Sequence, residues 1–218
     1  MAKPKIINAN EAAKLVKDGD TLLIGSFLAI GCPQQLIDAL VTTGQKNLHV
    51  VCISPDYDDY GIGKLLFHKQ VTYLQTSWHG FSKASQAGFH DGSIKIEFNP
   101  QGGLLERVRA AGAGLGGILS PVGLGTPVEK ERETITVDGK KWILEKPIHG
   151  DVSLIKAKKA DKMGNLIYSK SARNCNPIMA TAGKIVIAQV DEIVEIGEID
   201  PEHIITPGVF IDYLVLNK

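Results

Sequence analysis

The residue best placed to do chemistry in this 218-residue sequence is Gln101, in the stretch Asn99-Pro100-Gln101-Gly102-Gly103-Leu104-Leu105-Glu106-Arg107-Val108-Arg109. An alternation of Ile94, Ile96 and Phe98 runs into it with the period of a strand. Leu104, Leu105 and Val108 run out of it with the spacing of a helix. The start of a helix exposes unpaired N–H groups and carries partial positive charge, so it suits an anion or an oxyanion. Gly102 and Gly103 take away the Cβ atoms that would hold a ligand off the backbone. An amide at such a corner can polarise a carbonyl, a contribution of about 3 kcal/mol for one well-aimed donor. No nucleophile accompanies it. Glu106 reads as an ion-pair partner of Arg107 and Arg109, so the residues alone describe half of a carbonyl-handling site.

Other residue types with chemical potential are less sharply placed. His79 stands beside Trp78 in a polar stretch and could face a pocket, although a loop histidine is commonly only solvated or packed. Asp56, Asp58 and Asp59 could hold a divalent ion, but a solvated acidic turn is the stronger reading. Cys175, without a flanking histidine or a helix start ahead of it, reads as a buried structural thiol. Residues 112–117 match the pattern GxGxxG, yet a helix precedes them and Ile118-Leu119-Ser120-Pro121 follows. A dinucleotide site needs the opposite order, strand then helix, so a backbone turn is the better reading. Neither GxxxxGK[ST] nor HExxH occurs, and the sequence offers no metal site.

The elements that must carry Gln101 follow from periodicity and punctuation. Asn8 and Glu11 form a capping-box pattern ahead of a short helix with Ala12, Leu15 and Val16 that closes near Gly19. Thr21–Ile24 is a buried strand leading into Gly25 to Pro33, either a tight strand-to-helix turn or a ligand-facing loop. Pro33 opens a helix with Leu36, Ile37, Leu40 and Val41 on its apolar face, and Gly44 stops it. Leu48–Ile53 and Val71–Gln75 are further strands, whereas 76–93 reads as a mobile loop over the sheet edge. Thr134–Val137 and Lys141–Leu144 flank Asp138-Gly139, a two-residue hairpin signal and an excursion from the main sheet. Val152–Ala157, Asn165–Tyr168 and Ile185–Val190 return to strand patterns, with Pro177 opening a helix before the last. Strand, loop and helix in this rhythm predict an α/β fold with an open, mostly parallel sheet, formed by residues 1–218 as a single domain.

Bulk properties narrow the function classes. Formal net charge is zero and no basic block stands out, which gives no support to nucleic-acid or anionic-membrane binding. The apolar runs have strand length, far below a membrane span. The N-terminus has no apolar signal core, and three cysteines without a CxxC pair fit a reducing cytoplasm.

At these residues the chain resembles the alpha (A) subunit of a family I coenzyme A transferase, of the short-chain acyl and acetoacetate type. The first family signature is matched by Asp18-Gly19-Asp20-Thr21-Leu22-Leu23-Ile24-Gly25-Ser26-Phe27, then Gly31 and Pro33. The resemblance continues through Gly61-Ile62-Gly63, Pro100-Gln101-Gly102, Glu106-Arg107 with Arg109, Gly123 to Thr126 and Lys158-Ala160-Asp161 with Gly164-Asn165. It closes with Ser171 to Asn174, Asn176-Pro177 and Thr206-Pro207-Gly208, so it spans nearly the whole chain. It implies a ping-pong reaction through a glutamyl–CoA thioester, with the glutamate on a beta subunit, in a cytoplasmic α2β2 heterotetramer. CoA is then a substrate, and no cofactor is implied. Gln101 matches the family's oxyanion-hole amide, and Gly25, Ser26, Phe27, Gly31, Pro33, Gly102 and Gly103 would line the cleft shared with beta. Three departures bear on substrate: Ser26 replaces a glycine, Gly103 replaces a threonine, and Thr76 to Lys83 brings in Trp78, His79 and Phe81, which could reshape the acyl pocket. A non-catalytic CoA- or nucleotide-binding regulatory subunit, or a sugar-phosphate isomerase of related fold, are the alternative readings.

Overall fold

The computed structural model describes residues 3–217. In chain order the elements are β1 (Lys5–Ile6), α1 (Ala9–Ala13), β2 (Thr21–Ile24), α2 (Gln34–Thr43), β3 (Leu48–Val51), α3 (Gly63–Phe67), β4 (Val71–Thr76), α4 (Lys83–Asp91), β5 (Lys95–Phe98) and α5 (Gln101–Gly112). An excursion of β6 (Ile118–Ser120), α6 (Pro127–Lys130), β7 (Thr134–Val137) and β8 (Lys140–Glu145) follows. The chain then returns through β9 (Gly150–Asp161), β10 (Leu166–Ile167), α7 (Asn176–Met179), β11 (Gly183–Val194) and β12 (Tyr213–Leu216).

The main sheet has the order β1-β12-β11-β9-β2-β3-β4-β5, all parallel, with β10 antiparallel on β9. From β2 the chain steps outward to β5, and from β9 it steps the other way to β12. The β2/β9 junction is therefore the point where the order reverses, and the carboxyl ends around it are where an open α/β sheet places its site. Period-two alternation divides the core between the two faces. Leu22, Ile24 and Val50 meet Leu36, Ile37, Leu40 and Leu65 of α2 and α3, whereas Leu23 and Val51 meet Leu104 and Val108 of α5 and Met179 of α7.

Local chemistry explains the element ends. Asn8 and Glu11 close a reciprocal capping box, and Gly44 ends α2 in the left-handed conformation at φ 77°. The Asp138-Gly139 turn joins β7 to β8, and β6 completes a separate antiparallel sheet in the order β6-β8-β7. Two expectations need correction. α1 stops at Ala13, and Leu15 and Val16 lie in tighter turn bonds to Ala12 and Ala13. The expected mobile loop 76–93 contains α4, started by the Ser82 hydroxyl on the Ser85 N–H and ended at Gly92. Its buried residues are Ser85 and Gly88, so packing by small residues left no apolar stripe to read. No helix among the described residues is long and apolar enough to cross a membrane.

Candidate active site

Four consecutive loops leave the carboxyl ends of β2, β3, β4 and β5, and Gly25 to Pro33, the acidic turn at Asp56, Trp78 with His79, and Gln101 lie on them in that order, whereas Cys175 comes from the start of α7. The last carries Gln101. Asn99 donates its backbone N–H to Thr76 O at 2.9 Å, which continues the β4–β5 ladder by one step. Pro100 then turns the chain and occupies the N-cap of α5, where it supplies no side-chain cap. Leu104 N–H makes the first internal bond, to Pro100 O at 2.9 Å. Among the described residues no acceptor takes the N–H groups of Gln101, Gly102 or Gly103, and no protein group holds the exposed Gln101 amide. A Cβ built on Gly102 meets nothing within 4 Å. Donors and access thus coincide at this helix start.

The same bonds are taken at its neighbours. The N-terminus of α2 is capped at long range by Gln189 Oε1, 3.0 Å from Gln35 N. That of α4 is capped by Ser82 and by Asp58, whose carboxylate accepts from Ala84 N at 3.1 Å.

The 25–33 loop is held from below. Phe27 and Ile30 exchange both backbone bonds at 3.1 and 3.0 Å around Leu28-Ala29, which sit at φ 50° and 65°. Left-handed backbone at two consecutive non-glycine residues is a type I′ turn that needs external support. Asp56, buried and itself at φ 58°, supplies it. Its carboxylate accepts from Ser26 Oγ and Ala29 N, both at 2.8 Å, and more weakly from Ile62 N and Ser54 Oγ. Burial pushes the Asp56 carboxyl up, and these donors pull it part of the way back. The acidic turn is therefore not solvated at Asp56, and its three side chains serve separate ends: Asp56 the loop, Asp58 the start of α4, Asp59 the solvent.

Gly25 and Gly31 owe their identity to a protein neighbour. A Cβ on Gly25 would lie 1.9 Å from Asn176 Oδ1, and one on Gly31 2.5 Å from Ala172 O. Asn176, fully buried, accepts from Lys156 N of β9 at 2.9 Å and donates to Gly31 O at 3.1 Å and Ala172 O at 3.0 Å. The Cys175 thiol lies 3.5 Å from Ser26 O, and burial pushes it up to about 11, a structural rather than a reactive sulfur. The reversal point of the sheet is thus filled by Asn176 and Cys175. Ser26 and Pro33 are buried as well, and Phe27 and Ile30 are the members of this loop that face outward.

Beside it, Trp78 meets Phe81 edge-on at 4.6 Å, and Phe81 stacks on Tyr57 at 5.3 Å. His79 is half-buried, with Nδ1 3.1 Å from Ser85 Oγ and its ring against Phe98 and Phe89; burial pulls its pKa down. Phe27, Ile30, Tyr57, Trp78, Phe81 and Phe98 are all exposed, apolar side chains spread over the carboxyl ends of β2 to β5 and their loops.

Sequence reasoning missed what lies behind Gln101. Arg107 does not pair with Glu106, which takes Arg109 at 3.1 Å. It turns inward to Glu97 Oε1 and Asn99 Oδ1, both at 2.6 Å. Arg132, sent in by the excursion, joins the same group on Glu97, Asn99 and Glu145. Glu97 and Asn99 fall on the polar phase of the strand alternation, where a solvated side chain is the default reading, so the sequence did not announce their partners.

The sequence matches the family model described as "Coenzyme A transferase" over residues 6–217. It is 47% identical, over 96% of its length and 88% of the relative's, to the A-type chain of a "Probable succinyl-CoA:3-ketoacid coenzyme A transferase" of Bacillus subtilis. It is 39% identical to the alpha chain of the acetate CoA-transferase of Escherichia coli K12, covering 99% of this chain and 98% of that one. The A-type chain of the 3-oxoadipate CoA-transferase of Pseudomonas putida is 44% identical over 94% of this chain and 89% of its own. Among solved structures, an acyl-CoA transferase of E. coli O157:H7, described as a thioester complex with CoA, superposes with a TM-score of 0.86 at 24% identity. The match covers 99% of this chain but 47% of that one, so this chain spans about half its length. The AibA/AibB decarboxylase matches at TM-score 0.86 and 22% identity over 100% of this chain and 84% of that one. At these identities the structures establish the fold.

Proposed function

The chain belongs to the coenzyme A transferase family, and on that premise we propose that it is the A-type half of a two-subunit CoA-transferase whose nucleophilic glutamate comes from the partner. The relatives are named as A-type or alpha subunits, which supports a B-type partner; an α2β2 assembly in the cytoplasm is the form we propose. The reaction is a ping-pong exchange. The partner's carboxylate attacks the acyl-CoA carbonyl and expels CoA thiolate, leaving a mixed anhydride. The thiolate attacks the glutamyl carbonyl and releases the free acid, and the acceptor carboxylate repeats both steps in reverse.

Each addition places negative charge on a carbonyl oxygen. The uncapped start of α5 is the observation that carries this reading: its unpaired N–H groups, with the Gln101 amide beside them, would donate to such an oxygen. A neutral amide donates at any working pH, and the backbone N–H groups at the start of α5 are fixed before charge develops. The exposed side chains of Phe27, Ile30, Trp78 and Phe81 would together cover the acyl-bearing part of the site from water, and their bulk suits a longer or β-substituted acid better than plain acetate. Coenzyme A enters as substrate, and no cofactor takes part.

Gln101→Ala in the assembled two-subunit enzyme tests the assignment. We expect kcat to fall roughly a hundredfold or more with assembly intact. Unchanged kcat would remove Gln101 from the mechanism. A carboxylate panel with plain acetate and acetoacetate as the best pair would remove the proposed acyl preference.

A further inference from the structure

The cluster that follows β5 joins Arg107 and Arg132 to Glu97 and Glu145, and both guanidinium groups also meet Asn99. Asn99, 3% exposed, is the last residue before Pro100-Gln101. Its side chain is held at both ends: Nδ2 donates to Glu97 O at 3.0 Å, and Oδ1 accepts from Arg107 Nη1 and from Arg132 Nη2. Its backbone N–H is fixed on Thr76 O.

The two guanidinium groups are themselves held. Arg107 lies on α5, less than two turns after Gln101, and also donates Nε–H to Lys146 O at 2.8 Å. Arg132 comes from the antiparallel excursion and ties to Glu97 and to Glu145, a carboxylate with 0% exposure. Glu97 in turn accepts from Tyr73 and, at 2.9 Å, from Gln75 Nε2. Two half-buried cations therefore balance two carboxylates, and the shared neutral member is the residue that precedes the Pro100-Gln101 turn. A guanidinium is suited to this because its fixed fork can hold several acceptors at once.

We propose that Arg132 and Asn99 are positioning residues for the oxyanion amide: the excursion reaches across to Asn99 and sets the place from which Gln101 donates. This rests on the reading of Gln101 given above. Because an amide displaced by about 1 Å loses most of its stabilisation of a developing charge while ground-state binding is little changed, the effect falls on kcat.

The experiment uses the assembled enzyme with Asn99→Ala, Arg132→Lys and Arg132→Gln, each alone and combined with Gln101→Ala. Asn99→Ala leaves the ion pairs of Arg132 with Glu97 and Glu145 in place, so it remains informative if loss of Arg132 weakens folding. We expect Asn99→Ala and Arg132→Gln to lower kcat at least tenfold with KM changed less than twofold, Arg132→Lys to recover part of the loss, and none to lower kcat further when Gln101 is already alanine. Full kcat in folded Asn99→Ala, or a loss that multiplies with that of Gln101→Ala, would overturn the inference and leave the role of Gln101 standing. Full kcat in Gln101→Ala would overturn both.

Discussion

Removal of the Asp56 carboxylate should release the 25–33 loop, and its cost can be worked from the bonds it makes. Asp56→Ala leaves Ser26 Oγ and Ala29 N without their 2.8 Å acceptor, and Ile62 N and Ser54 Oγ without contacts of 3.3 and 3.4 Å. Hydrogen bonds to a charged group contribute about 1.5–3 kcal/mol each, so the two short ones account for roughly 3–6 kcal/mol. Against that, a buried carboxylate whose pKa is raised by burial carries a desolvation penalty that the variant no longer bears. The net loss expected is about 2–4 kcal/mol, read as a fall in unfolding free energy by urea titration of the assembled enzyme. The Leu28-Ala29 turn supplies an internal control. Ala29 sits at φ 65°, where glycine is at ease, so Ala29→Gly should recover up to about 1 kcal/mol in the Asp56→Ala background. An unfolding free energy within about 0.5 kcal/mol of the parent in Asp56→Ala, or further destabilisation by Ala29→Gly, would refute the view that Asp56 holds a strained turn in place.

Three further outcomes follow from the same geometry. Gly25→Ala places a methyl group 1.9 Å from Asn176 Oδ1, so it should cost about 3 kcal/mol in thermal unfolding, and Asn176→Gly in the same chain should relieve the clash without restoring the lost bonds. Gly103→Thr should stabilise α5 by about 0.5–1 kcal/mol: its Cβ would rest 3.5 Å from Glu145 Oε1, a buried oxygen without a protein partner among the described residues, and its hydroxyl can donate there; a lowered melting temperature would count against this. Glu97, which burial alone would raise, is instead held down at about 2 by Tyr73, Arg107 and Gln75. Its folded pKa lies below its unfolded value, so its contribution, discounted for partial exposure to about 2 kcal/mol, is complete above about pH 4.5 and is lost as pH falls toward 2. Glu97→Gln should accordingly flatten the acid limb of the stability profile over that window.

The main sheet and the corner bearing Gln101 were legible because their information is local. Alternation at Ile94, Ile96 and Phe98, a proline at position 100 and helical spacing from Leu104 define a strand end and a helix start within one short stretch. The Asp138-Gly139 turn was equally plain. What stayed hidden depends on partners far along the chain. The glycines of the 25–33 loop left a tight turn and a ligand-facing loop equally open, and it is Asn176 and Ala172 that occupy the space beside Gly25 and Gly31. Asp56 looked like part of a solvated turn because nothing nearby in sequence announces that Ser26 and Ala29 will meet it. Arg107 appeared to belong to Glu106 by helical proximity, but a strand carboxylate and an asparagine hold it with buried bonds. Helix α4 was hidden for a different reason, since its buried residues are Ser85 and Gly88 rather than large apolar side chains.

The most direct test of a divided active site is CoA transfer from acetoacetyl-CoA to a panel of carboxylates, measured with this chain alone and again with its B-type partner. The account predicts transfer in the mixture alone, with the covalent thioester trapped on a glutamate of the partner. Turnover by this chain without a partner, or a thioester on one of its own carboxylates, would contradict it.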